Sequence, residues 1–290
     1  MIRVPVRTAF MEFFSGARRS LFAWSKDSPR TIRGTHEPTK QQEVTLMWKL
    51  AVLLGAVLLT LPSGTAARDF PSDVFETEEG KLTITFIGHG TLMFTFEDTI
   101  VHVDPVAQMA DYTRMPKADI ILVTHEHRDH FDPAVIEAIS TDKTVLVLTE
   151  ACRKQLNSGR VMRNGDVEII QGISVEAVPA YNLVHMRAPG QPFHPRGAGN
   201  GYVITFGNRK VYVAGDTEDI PEMAELKGID IAFLPMNLPY TMTPEMAARA
   251  AKSFKPRILY PYHFGETDTS TIIALLKDEK EIEVRIQPMK

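Results

Sequence analysis

The sequence predicts an α+β chain in which two β-sheets pack as a sandwich with helices on the outside. Three observations carry this expectation. Beyond about Phe75, short apolar or alternating runs rich in Val, Ile, Tyr and Phe recur at close intervals, as strands require. Helical signatures fall between only some of these runs, so strands outnumber helices. No linker and no internal repeat interrupts residues 75–290, which makes that stretch one domain.

In order along the chain, "KLTITFIGHGTLMFTFEDTIVHVDP" gives two or three strands around Gly88-His89-Gly90 and Glu97-Asp98. The strand series continues through "ADIILVT", "TVLVLT", "VEII", "ISVEAVP", "GYVITF", "KVYVAGD", "IDIAFLP", "RILYPYH" and "EIEVRIQP". Helices are expected at "DPAVIEAIS", with its early Pro, at "PEMAELKG", closed by Gly228, and at "TPEMAARAAKSF", which opens Thr-Pro-Glu as a capped helix should. "TSTIIALLKD" is the last. The single cysteine, Cys152, excludes an internal disulfide and every Cys-rich zinc pattern, and is read as filler in a short helix.

With 44% hydrophobic and 23% charged residues, the 290-residue chain has the material for a real core. Its 32 Lys+Arg against 36 Asp+Glu leave a net charge of -4, so no basic field points to a nucleic-acid partner. Residues 1–46 are Arg-rich and aperiodic, and are expected to be disordered, lying upstream of a true start at Met47. Residues 47–67 have the grammar of a secretory signal peptide: Met47 and Lys49, the apolar run Leu50 to Leu61, and the small-residue exit Thr65-Ala66-Ala67. A spanning helix needs about 20 apolar residues, so export to the periplasm or medium is expected. The rivals are a permanent membrane anchor and an organelle transit peptide in "MIRVPVRTAFMEFFSGARRSLF". Membrane contact is expected only through an uncleaved N-terminal segment, and the oligomeric state is open.

Chemistry concentrates in "THEHRDHFD", where His125, His127, Asp129 and His130 crowd together directly after a strand. Such donors cannot all enter a core unpaired, and a shared metal satisfies them together. Imidazole and carboxylate suit zinc and other first-row divalent ions. Four donors so close in sequence strain to reach one tetrahedral ion, which points to two adjacent ions. Further donors stand at strand ends: His194 in "FHPRGAG", Asp216 in "VYVAGDTED" and His263 in "LYPYHFGE".

These motifs resemble the metallo-β-lactamase-fold hydrolases: "THEHRDH" is similar to their HxHxDH signature, and "AGDT" and "PYHFG" stand where the bridging Asp and last His are placed. The likeness covers nearly all of residues 81–290, with "GHG" and "DP" as in the small lactonase-like and phospholipase-like members. It implies a four-layer αβ/βα sandwich, a hydrolase domain over 68–290, and two divalent ions at the edge between the sheets: zinc, with manganese or iron(II) as alternatives. His125, His127 and a third His would then hold the first ion, with Asp129, His130 and His263 on the second and Asp216 bridging. The third His is His194, with His185 the alternative. Asp104 would orient a ligand His, Asn182 and Tyr240 would meet substrate, and Arg187 and Arg196 could greet an anionic group. His89 is open between a structural and a catalytic role.

Activity follows as hydrolysis of an ester, lactone, amide or phosphodiester of a small or lipid-like substrate by a hydroxide held between the ions, with Asp129 and Asp216 as catalytic carboxylates. No Gly-x-Ser-x-Gly elbow offers a protein nucleophile. The alternatives are a nuclease or di-iron redox enzyme on the same fold, or a metal-binding protein without catalysis.

Overall fold

A computed structural model describes residues 70–290. Residues 1–46 and the signal-like segment 47–67 lie outside them. The first strand starts at Ser72, ahead of the expected Phe75, because β1 (Ser72–Thr77) pairs antiparallel with β2 (Gly80–Gly88) through the turn at Gly80. β3 (Thr91–Phe96) and β4 (Thr99–Val103) extend the meander, and β5 (Ile120–Leu122), β6 (Val145–Leu148) and β7 (Arg160–Val161) add to it in parallel. The sheet runs β1-β2-β3-β4-β5-β6-β7.

The second sheet repeats the plan. β8 (Val167–Ile170), β9 (Ile173–Ala180), β12 (Gly199–Phe206) and β13 (Arg209–Val213) pair antiparallel, followed in parallel by β14 (Ile231–Pro235), β15 (Ile258–Tyr262) and β16 (Glu283–Val284). Between β9 and β12 the long segment 181–201 carries a small ribbon, β10 (Met186–Ala188) with β11 (Gln191–Pro192). Thus each half is an antiparallel meander that ends in three parallel strands, a repeat of topology without one of sequence.

Period-two patterning explains the core. Leu82, Ile84 and Phe86 of β2 and Phe94 of β3 face Phe206, Phe233 and Tyr260 of the other sheet, all fully buried. Phe86 lies 5.0 Å from Tyr260, which stacks on Phe233 at 5.2 Å. On the outer side of the first sheet, α1 (Pro133–Ile139) and α2 (Glu150–Leu156) cover Ile121, Val123 and Leu148, with Cys152 buried as filler. α3 (Pro244–Phe254) covers the second sheet, edge-on from Phe254 to Tyr212 at 5.7 Å, and α4 (Ser270–Leu276) packs beside it. The result is the αβ/βα order of layers.

Caps fix the helix starts. Asp132 accepts from the amides of Ala134 and Val135 ahead of Pro133, and Thr243 accepts from Met246 ahead of Pro244. Two expectations need correction. "PEMAELKG" forms only a 3-10 turn, Pro221–Glu225, because no side chain caps it and the backbone is already extended at Leu226. "EIEVRIQP" is a strand only at Glu283–Val284, an edge position where the Arg285 guanidinium turns to Asp73 and Glu283.

Candidate metal centre

Every metal-ligand candidate sits on a loop at the ends of strands that the core holds rigid. The turn after β5 carries His125, His127, Asp129 and His130, the loop after β13 carries Asp216, and His263 directly follows β15. His194 follows the ribbon and precedes β12, whose Asn200 amide donates to Thr124 O at 2.9 Å and ties the two sheets together beside the turn. His89 caps β2 in the left-handed region, φ 52°, as do Asp104 at 45° and His263 at 47°. Gly90 must lack a side chain, since a Cβ there would lie 2.6 Å from Cε1 of His130.

The side chains form two adjacent donor groups. One holds His125, His127, His194 and Asp216, and the other His89, Asp129, His130 and His263. In the first, Nδ1 of His127 lies 3.0 Å from Nε2 of His125 and 3.2 Å from Nε2 of His194. In the second, Oδ2 of Asp129 lies 3.2 Å from Nε2 of His89 and 3.6 Å from Nε2 of His263. Asp216 touches both groups: Oδ2 is 3.3 Å from His194 Nε2, while Oδ1 is 3.4 Å from His130 Nε2 and 3.5 Å from His263 Nε2.

Hydrogen bonds behind the rings decide which nitrogen faces inward. Asp104, wholly buried, accepts from His130 Nδ1 at 2.8 Å and from the Thr124 amide and hydroxyl at 2.7 and 2.6 Å. With its proton given to Asp104, the Thr124 hydroxyl can accept from His125 Nδ1 at 3.0 Å. Asn182 Oδ1 accepts from both the amide and Nδ1 of His194, at 2.8 and 2.7 Å. His125, His130 and His194 therefore turn their Nε2 atoms toward the centre.

These residues fit divalent ions. Nε2 of His130 and of His263 and Oδ1 of Asp216 are buried without a hydrogen-bond partner, an expensive condition unless a cation satisfies them. Two ring nitrogens, Nε2 of His125 and of His194, converge on His127 Nδ1, where hydrogen bonding could use only one proton. A tetrahedral ion with bonds of about 2.0 to 2.1 Å needs donor spacings of about 3.3 to 3.4 Å, close to those quoted above. Charge agrees with geometry. Burial and the imidazolium field of His130 hold His125 well below its usual range, as a neutral ligand must be. Burial alone would raise Asp216, but His263 and His130 hold it well below the carboxylate range. Burial also opposes charge on His130, yet the Asp216, Asp104 and Asp129 carboxylates lift it to about 9, so this corner of the site attracts positive charge.

Above the groups opens a cleft of about 590 Å³ walled by Arg128, Arg187, Phe193, Asn237 and Tyr240. Asn182 stands behind the His194 ring: Oδ1 serves His194, and Nδ2 donates to Glu218 Oε1 and Tyr240 O at 3.0 and 2.9 Å. His185 lies outside both groups, 2.8 Å from Glu218 Oε1. Arg196 is also spent elsewhere, on Glu222 and over the Tyr181 ring. Arg187 remains in the cleft, 5.6 Å above the Phe193 ring. Sequence reasoning missed Glu218 altogether and left His89 undecided; the "GHG" turn was the one local signal for the latter.

The sequence profile of the beta-lactamase superfamily domain matches residues 83–263. The chain belongs to the metallo-β-lactamase superfamily. A crystal structure from Parabacteroides distasonis, provisionally classed as a metal-dependent hydrolase, is 51% identical, covers 76% of this chain and 100% of its own, and superposes with a TM-score of 0.73. The UPF0173 metal-dependent hydrolase of Nanoarchaeum equitans is 31% identical over 63% of this chain and 84% of its own. Igni18, a metallo hydrolase of Ignicoccus hospitalis, shares the fold at 21% identity and a TM-score of 0.60, covering 72% of this chain and 96% of its own. This metallo-β-lactamase superfamily member is a metal-dependent hydrolase whose His and Asp clusters are able to hold metal ions.

Proposed function

We propose that the two donor groups hold two divalent ions, zinc with manganese or iron(II) as alternatives, and that the enzyme hydrolyses an ester, lactone, amide or phosphodiester of a small or lipid-like substrate. The observation that carries this reading is the division of Asp216, with one carboxylate oxygen facing each group. His125, His127 and His194 complete the first site, and Asp129, His130 and His263 the second. Ions so held bring the ionisation of water toward neutral pH and polarise a carbonyl or phosphoryl oxygen.

The chain's own groups supply the rest. Asp129 is the more exposed of the two carboxylate donors, its side chain 40% accessible against 4% for Asp216, so it can take the proton released by the attacking water and pass it to the leaving group. Arg187 meets an anionic portion of the substrate. Phe193 and Tyr240, edge to face at 5.1 Å, give an apolar wall, and the exposed Leu183, Val184, Met186 and Leu238 on the same two loops extend it for a lipid-like portion. Cys152 is no rival nucleophile, since burial pushes its thiol up to about 11.

Elemental analysis and calorimetric titration test the metal reading: up to two ions per chain are expected, with a raised melting temperature. Fewer than one bound ion after incubation with zinc, manganese or iron(II) would sink it. A panel of lactones, thioesters, amides and phosphodiesters then fixes the bond cleaved. The signal-like segment further supports export, with a mature chain beginning near Arg68, which N-terminal sequencing of the native protein checks.

A further inference from the structure

Glu218 stands two residues beyond Asp216, outside both donor groups, and its side chain is completely buried. A carboxylate at that depth is tolerated only when its lone pairs are met, and here they are met by one loop. Oε2 accepts from the amides of Leu183 and Val184 at 2.8 and 2.7 Å, and Oε1 from the amide of His185 at 2.6 Å and from Asn182 Nδ2 at 3.0 Å. Three successive backbone N–H groups and one side-chain amide thus close around the anion.

That contact has a chemical consequence one link further on. A carboxylate only accepts, as does the Tyr240 carbonyl oxygen that shares Asn182 Nδ2 at 2.9 Å, so the two together dictate which end of Asn182 is the NH2. The opposite end, Oδ1, is then turned to His194, where it accepts from both the amide and ring Nδ1. An oxygen at that place keeps the ring proton on Nδ1. Nε2 is left with its lone pair free, 3.3 Å from Asp216 Oδ2.

We propose that Glu218 is a positioning residue: through Asn182 it fixes the tautomer and aim of His194, and through the Leu183-to-His185 amides it holds the loop that borders the cleft. This rests on the reading of His194 as a metal ligand, and it explains why His194 joins the centre while the nearby His185 does not. His185 is enlisted as part of the cage around Glu218.

The test compares the full chain with Glu218→Gln and Asn182→Leu. Long-range 1H–15N correlation spectra of metal-free protein read the tautomer of His194 directly. Wild type should show the proton on Nδ1, and both variants a shift toward Nε2–H. Zinc titration should show first-site affinity falling about 10- to 100-fold in either variant while the second site is unchanged, with the double variant no weaker than the weaker single one. A folded Glu218→Gln that keeps both the wild-type tautomer and the wild-type affinity overturns the proposal. Should Glu218→Gln not fold, an unchanged tautomer in Asn182→Leu overturns the relay equally. If wild type took up no zinc, the metal reading would fail, and the tautomer measurement would still decide the role of Glu218.

Discussion

Asp104 and His130 meet at 2.8 Å with neither side chain exposed to solvent at all. The ring is held by its Nδ1 on a carboxylate that Thr124 also grips, so its other nitrogen has a single direction to point. Asp104→Asn keeps the shape and removes the charge. The expected result is a folded protein whose second site binds zinc about 10- to 100-fold more weakly, read by calorimetric titration; unchanged affinity would show that packing alone positions His130.

Asp216 presents one oxygen to each donor group, so its loss should be felt in both. Asp216→Ala is expected to abolish turnover and to reduce metal content across the two sites. Because the sheets pack independently of this side chain, the far-ultraviolet circular dichroism should stay that of the wild type. Retention of a full complement of metal would contradict the bridging position.

Gly90 supports His130 by absence. The His130 ring is fixed by Asp104 and cannot swing away from a new methyl group 2.6 Å from its Cε1. Gly90→Ala should therefore destabilise the fold by about 1 to 3 kcal/mol and weaken the second site as the ring is displaced. Urea unfolding together with metal titration reads both effects.

His102 supplies a pH dependence away from the donor groups. It is buried on β4 with Nε2 donating to Pro116 O at 3.2 Å, and burial lowers its pKa to about 4 from 6.5. Between those values the unfolded chain takes up a proton that the folded chain refuses, so stability falls as the pH drops through that window. From pH 7 to pH 5 the loss is roughly 2 kcal/mol. His102→Leu should show a correspondingly shallower decline in urea midpoints over that range.

The turn from His125 to His130 was legible because its donors are neighbours in sequence, and the strands because their apolar residues alternate. The place of His194 before a Gly-rich turn favours it over His185 in the sequence, but the feature that divides the two in the fold, the Glu218 carboxylate after β13, lies outside their loop. His89 was obscure for a similar reason, since its meaning lies in Asp129, which only the folded chain brings within 3.2 Å. That β9 pairs directly with β12 while β10 and β11 leave the sheet as a ribbon of their own depends on pairings that no local pattern encodes. The Glu222 that pairs with Arg196 was not legible, because a charged side chain in sequence carries no sign of its partner.

Each donor group draws on both halves of the repeated strand plan: His125 and His127 with His194 and Asp216, and His89, Asp129 and His130 with His263. Neither half owns a complete binding site. An ion held in either group would therefore be a rivet through the seam between the sheets, and its release would be coupled to how far that seam can part. Two fragments divided between β7 and β8, within residues 162–166, where the first sheet gives way to the second, should each be blind to zinc alone and should be drawn together by it when mixed.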